Sequence, residues 1–175
     1  MIALFLPAAL ALSVNAYAGD ACKGFNVEAD AFTGTANVTA RIQGLGQFTA
    51  VGLWMELKAG VMELNLTAKE GGAIDGQIPA GVEVPFLFEG GEVVPFTTSR
   101  ANALKSYVVE TTIMTNLPFT FGLNAELLGK LATTPVQTVR IPISSGTWDW
   151  NPKGKVQQKI QAAAACMQEY LPAAE

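Results

Sequence analysis

The sequence predicts a mainly β fold, an antiparallel β-sandwich or barrel with one long C-terminal α-helix packed on it. Many short segments alternate apolar and polar residues and are separated by turns, most of which contain glycine. The last segment, residues 151–171, instead repeats its apolar residues at steps of three and four. The chain has 175 residues, of which 50% are hydrophobic and 15% charged, so it is not a disordered protein.

The first 18 residues predict a secretory signal peptide. Ile2–Val14 is a short apolar run, and Ala16–Ala18 is a cleavage site of the A-x-A type. The run is too short to span a bilayer, although no Lys or Arg precedes it. Cys22 lacks the preceding leucine of a lipoprotein cleavage box. We therefore expect an exported protein, periplasmic or extracellular, without a stable membrane anchor, whose residues 19–175 form a single domain.

The alternation of apolar and polar residues predicts nine strands, given below in chain order. The clearest hairpin turns at Lys58–Gly60, and a second turns at Glu89–Glu92, where a Gly-Gly pair supplies positive φ. Val-Pro-Phe occurs once in each arm of this second hairpin, which indicates edge strands or bulges. The predicted strands are Phe25–Ala31, Ala36–Ile42, Phe48–Leu57, Val61–Ala68, Val82–Phe88, Val93–Thr97, Ser106–Thr115, Val136–Ile143 and Thr147–Trp150.

Two helices are predicted. A short one, Ala125–Leu131, is capped by Asn124. The long one begins with Asn151 as N-cap and Pro152 at the first position, and Pro172 ends it. Because only one of its faces is apolar, it needs a sheet or other helices to cover that face. The predicted apolar stripe comprises Val156, Ile160, Ala163, Met167, Tyr170 and Leu171.

Cys22 and Cys166 are the two cysteines of the chain. In an exported protein, two cysteines most simply form one disulfide, which here would connect the first strand to the last helix. The alternative is two free thiols.

Composition limits the chemistry. The chain has no histidine, which removes the commonest general base and most zinc and copper sites. A net charge of −4 argues against binding to nucleic acid or to anionic membranes. Paired carboxylates could still hydrolyse glycosides, but the acids are scattered over solvent faces and turns. We expect neither enzymatic activity nor a metal or other cofactor.

Trp148, Asp149 and Trp150 are the candidate binding residues. In a strand, the two indoles lie on one face and Asp149 on the other. The indoles could stack on a sugar or anchor a partner. The alternative is that they are core residues, with Asp149 favouring the N-terminus of the following helix.

The C-terminal third of the chain carries an arrangement of Leu127–Leu131, Val139–Ile143, Trp148–Trp150 and a helix with Cys166. It resembles small exported proteobacterial proteins of the invasion-associated locus B type, in which a β-sandwich is followed by strand, turn, strand and closing helix. The resemblance is one of arrangement and rests on no specific motif. It implies an envelope protein of undefined role, with no catalytic residues to transfer.

Three functions are consistent with these observations. The first is a non-catalytic interaction protein that meets a protein partner through a sheet edge or an aromatic patch. The second is a carrier of a small apolar or lipidic ligand, and the third is a subunit of an extracellular or envelope assembly. A large closed cavity would favour the carrier; a solid core with an apolar surface patch would favour the interaction protein. The phenylalanines that would line such a cavity are Phe48, Phe86, Phe88, Phe96, Phe119 and Phe121.

Overall fold

The computed structural model describes residues 22–29, 35–46 and 49–171, so the predicted signal peptide, residues 1–18, lies outside the described residues. The described chain is mainly β, as predicted, with two helices, α1 (Ala125–Thr133) and α2 (Lys155–Gln168). Its strands are β1 (Asn26–Ala29), β2 (Ala36–Gln43), β3 (Val51–Lys58), β4 (Val61–Gly71), β5 (Gln77–Ile78), β6 (Glu83–Phe88), β7 (Val93–Thr97), β8 (Asn102–Ala103), β9 (Lys105–Val109), β10 (Thr112–Gly122), β11 (Val136–Ile143) and β12 (Gly146–Trp150).

The described strands form antiparallel sheets. A six-stranded sheet has the order β1-β2-β3-β4-β10-β9, and a four-stranded sheet has the order β12-β11-β6-β7. The short strands β5 and β8 pair with each other. Neither larger sheet closes on itself, so each has two edge strands.

The core contains buried side chains from both larger sheets and from the two helices. In longer strands such as β2, β3 and β10, period-two alternation places one row of buried apolar side chains on the core side. Phe86 and Phe96 of the smaller sheet each approach Phe121 of the larger one edge to face, with ring centroids 5.9 Å apart. Phe88 and Phe119 are also fully buried. These rings fill the core, while Phe48 lies outside the described residues.

The two helices pack against each other, and α2 also contacts β2, β3 and β11. The predicted stripe of α2 is confirmed, because Ile160, Ala163 and Met167 are buried and Val156 packs on the core. Asn124 caps α1 as predicted, accepting a hydrogen bond from the Leu127 backbone N–H at 2.8 Å.

The disulfide prediction is confirmed. The Sγ atoms of Cys22 and Cys166 lie 2.02 Å apart, and both residues are buried. The bridge joins the turn before β1 to the C-terminal half of α2, across a sequence separation of 144.

The predicted start of the long helix is wrong. The helix begins at Lys155, after Gly154 with φ 33°, and has no side-chain cap. Asn151 is engaged elsewhere, because its side-chain oxygen accepts a hydrogen bond from the Thr138 hydroxyl of β11 at 2.8 Å. At the other end, i to i−3 hydrogen bonds continue the last turn as far as Leu171.

The strand predicted at Ser106–Thr115 is a hairpin. The chain turns at Glu110, a non-glycine residue with φ 57°, and β10 then runs through Pro118 to Gly122. Proline is tolerated there because β9 pairing ends at Asn116, so Pro118 pairs only with Thr67 of β4.

The edge-strand prediction holds for one of the two Val-Pro-Phe segments, that of β7, whereas β6 is an interior strand of its sheet. Pro95 lies on β7, an edge strand, and Pro85 faces it on β6. The register between β6 and β11 shifts between Val136 and Thr138, which is a bulge. The pairing of β6 with β11 ends at Phe86. Pro85, which has no backbone N–H, is therefore not required to donate a hydrogen bond to β11.

Candidate functional site

The predicted binding residues lie on β12, an edge strand of the four-stranded sheet. Trp148 and Trp150 are half-buried and pack against the core, while Asp149 is exposed on the opposite side of the strand. The two indoles therefore share a face, as their spacing predicts. Each contributes to the core and leaves part of its ring accessible.

Asp149 is held by Arg140 of the neighbouring strand. The guanidinium donates two hydrogen bonds to the carboxylate, from Nε to Oδ1 at 2.7 Å and from Nη2 to Oδ2 at 2.8 Å. These hydrogen bonds lower the pKa of Asp149, and the same pair raises the pKa of Arg140. Asp149 is therefore engaged by a cross-strand ion pair rather than by the N-terminus of α2.

Among residues 22–29, 35–46 and 49–171, no three Asp, Glu, His or Cys side chains converge in a way that could hold a metal ion. At the Gly-Gly turn, Glu92 forms an ion pair with Lys130 of α1. The turn thus connects the smaller sheet to the first helix.

An apolar cleft of about 250 Å³ opens between β10, the end of β11 and the β5–β8 pair. Its volume is below the roughly 300–1,000 Å³ typical of small-molecule sites. Glu70 closes one side by accepting a hydrogen bond from the Ser144 backbone N–H at 3.0 Å. The apolar lining consists of Ile74, Ile78, Pro79, Val82, Leu104, Leu117, Phe119, Pro142 and Ile143.

Exposed apolar side chains cluster at the β9–β10 hairpin. Val108, Val109 and Ile113, which we call the hairpin patch, are 67%, 39% and 44% exposed. Val108 pairs with Ile113 across the ladder. Ile113 is in step with buried Thr115 and Leu117 further along β10, so it lies on the core-facing side of the sheet.

The edge strand β9 carries little of the protection that is usual at a sheet edge. Natural sheet edges are commonly guarded by proline, by charge or by very short strands. Here β7 carries Pro95, β12 carries Asp149, and the four-residue β1 carries Glu28. Like β12, β9 has five residues, no proline and one charge, but that charge, Lys105, stands at its start and leaves the rest of the strand uncharged.

Sequence reasoning missed the hairpin patch because it placed the whole β-branched run in one strand. Glu110-Thr111 between two such runs is the signal that could have located the turn. The register that pairs Val108 with Ile113 follows only once that turn is known.

Neither helix in the described part of the chain has the length and apolar character needed to cross a bilayer. No protein-family model matches the chain, and neither a curated protein nor a solved structure gives a match.

Proposed function

We propose that this chain is an exported, non-catalytic binding protein that takes up an extended segment of a protein partner at the β9 edge. The hairpin patch carries this proposal, because it combines exposed branched apolar side chains with an edge strand that lacks the usual protection. Such an edge is a template for strand addition.

In strand addition, the main chain supplies affinity and the side chains supply selectivity. The outer side of β9 pairs with no described strand, so its backbone groups can bond to an incoming segment. Val108 lies on the same face of the hairpin as Ile113 of β10, and as the β9 residue nearest the segment it would contact a side chain of that segment directly. A partner segment with alternating apolar residues fits this surface best.

Export to the periplasm or the extracellular space is supported by two observations. The first is the signal-peptide pattern of residues 1–18. The second is the buried disulfide between Cys22 and Cys166, which is compatible with an oxidising compartment. The resemblance to exported proteins of the invasion-associated locus B type agrees with this location.

We also infer that the two larger sheets form a β-sandwich. The edge-to-face contacts of Phe121 with Phe86 and Phe96 bring the inner faces of the sheets together. Contacts of α2 with both sheets close one side of the core. This solid core is the arrangement expected of an interaction protein.

A carrier of a small apolar ligand is the second candidate, and the apolar cleft favours it. The cleft offers about 250 Å³, enough for a short aliphatic segment. Because Phe86, Phe96 and Phe121 fill the core, they do not line a larger cavity. A bulky lipid is therefore disfavoured.

The test is native mass spectrometry of the mature chain purified from the envelope of its own host. Val108→Lys places a charge on the β9 edge, and Val93→Lys is its matched control, since Val93 is 58% exposed and begins the edge strand β7. We expect one defined protein partner with the wild type and with Val93→Lys, and none with Val108→Lys.

Equal occupancy of the partner in both variants, or a bare monomer throughout, overturns the proposal. A retained small ligand that survives Val108→Lys supports the carrier instead. A homo-oligomer abolished by Val108→Lys identifies an assembly subunit that pairs through this edge. Chemical cross-links from the Lys105 amine would locate the contact on β9 independently.

A further inference from the structure

The outer face of the six-stranded sheet, on the side away from the core, carries a row of polar side chains around Trp54. In the register of the sheet, Trp54 of β3 lies beside Arg41 of β2 and Asn65 of β4. The next row places Thr39 beside Glu56. These residues alternate with the buried core residues of the same strands, so their side chains share the outer face.

Two adjoining hollows of about 350 and 500 Å³ lie on this face and share Thr39, Arg41 and Glu56. We call the pair the Trp54 hollow. Leu45 forms one wall and lies directly above Gly52. A Cβ at Gly52 would approach Leu45 Cγ to 2.8 Å, so only glycine lets the wall sit this close to the sheet.

The hollow contains an aromatic surface together with unused hydrogen-bonding groups. Trp54 is half-buried and leaves part of its indole accessible. Arg41 is exposed and has no hydrogen bond or ion pair with another described residue. Glu56 accepts one hydrogen bond, a long one of 3.4 Å from the Asn65 amide. A guanidinium and a carboxylate thus line one hollow without forming an ion pair with each other.

This combination matches a sugar ring. The carbon-bound hydrogens of a pyranose present an apolar face that packs on an indole, while its hydroxyl groups both donate and accept. Carboxylates accept from such hydroxyls and guanidinium groups donate to them. A purely apolar ligand would leave both charged groups without hydrogen-bonding partners.

We propose that the Trp54 hollow is a saccharide-binding site, in which one pyranose ring packs on Trp54 and its hydroxyls bond to Arg41 and Glu56. The site is independent of the proposed β9 interface. Val108 and Ile113 of that interface lie on the core-facing side of the sheet, whereas the hollow lies on the opposite side.

The test is titration of the disulfide-intact mature chain with oligomers of glucose, N-acetylglucosamine and galacturonic acid, followed by the indole N–H signals in NMR spectra. We expect at least one oligomer to shift the Trp54 signal saturably and to leave Trp148 and Trp150 unshifted. Preference for the galacturonate oligomer would show that Arg41 binds a sugar carboxylate. Preference for a neutral oligomer would show that Arg41 binds sugar hydroxyls.

Arg41→Gln is the decisive variant, because no described partner depends on Arg41 for folding. It should weaken binding about tenfold, as should Glu56→Gln, since each removes a hydrogen bond to a charged group. Trp150→Phe is the matched aromatic control and should bind as the wild type does. The proposal is overturned if no oligomer shifts the Trp54 signal, or if Arg41→Gln and Glu56→Gln both bind like the wild type.

Discussion

Glu56 and Glu63 lie directly opposite each other across the β3–β4 ladder, on the outer face of the six-stranded sheet. Like charges in this position destabilise a sheet. Glu63 is compensated by an ion pair with Arg100, whereas Glu56 has only the long hydrogen bond from Asn65. A residue that a sheet holds at a cost in stability is a candidate for function, and Glu56 lines the Trp54 hollow.

Replacing Glu56 with Gln should therefore stabilise the fold. We expect the free energy of unfolding to rise by about 0.2–1 kcal/mol at neutral pH, because a like-charge cross-strand pair is removed. Urea denaturation at low salt measures this change, and added salt should shrink it. Glu83→Gln is the control, since Glu83 faces the uncharged Thr97. A gain no larger than that of Glu83→Gln contradicts the prediction.

Gly52→Ala should disturb the wall of the Trp54 hollow. The added Cβ would come within 2.8 Å of Leu45 Cγ and 3.4 Å of its backbone N, so the loop must move. We expect a loss of about 1–3 kcal/mol in the free energy of unfolding. Gly122→Ala is the control, because its Cβ would meet only Ser99 at an ordinary 3.8 Å.

Leu45→Ala separates this steric effect from other causes. Combined with Gly52→Ala, it should recover most of the loss, because it removes the atom that the new methyl group strikes. Additive losses in the double variant would show that the strain lies elsewhere.

Breaking the disulfide should destabilise the protein substantially. Reduction, or the Cys22→Ala/Cys166→Ala double variant, should lower the free energy of unfolding by about 2–5 kcal/mol, since it frees the unfolded chain. Denaturation with and without reductant measures the loss. The double variant should not respond to reductant, and an equal response in both proteins would contradict a bond between these two cysteines.

The pKa of Asp149 should depend on Arg140. Arg140→Gln removes the hydrogen bonds that lower this pKa, so the value should rise towards that of an ordinary aspartate. A lowered pKa stabilises the folded state above the ordinary aspartate value, and this contribution is lost as pH falls through the lowered value. Because the pair is exposed, its effect on stability should be small and salt-sensitive.

NMR titration of the Asp149 carboxyl carbon measures the shift directly. Arg41→Gln serves as control, because Arg41 lies on the other sheet and should leave the Asp149 titration unchanged. An Asp149 pKa that stays low without Arg140 would mean that another group holds it.

Alternation predicted several strands with the bounds the structure shows, including Val93–Thr97 and Val136–Ile143. Each begins next to a residue that ends the preceding element, Glu92 after the Gly-Gly pair and Pro135 after α1. In contrast, the turn at Glu110 contains no glycine, asparagine or proline, so the polar pair Glu110-Thr111 was a weak local signal for the boundary between β9 and β10.

Neither the Trp54 hollow nor the hairpin patch could be predicted in the same way. Arg41, Trp54 and Asn65 come from three strands, and they meet only through the register of two ladders. A shift of one residue in either ladder would send one of these side chains to the core. Alternation indicates which residues share a face within a strand, but not which residues face each other between strands.

The covalent link between Cys22 and Cys166 also bears on how the protein withstands proteases. The two cysteines are 144 positions apart, so every described strand and both connections to the helices lie within one covalent ring. A single cut in any loop of that ring opens it without releasing a fragment. A chain built in this way keeps its pieces together after a nick, and the hydrogen-bonded sheets hold the cut ends close to their original places.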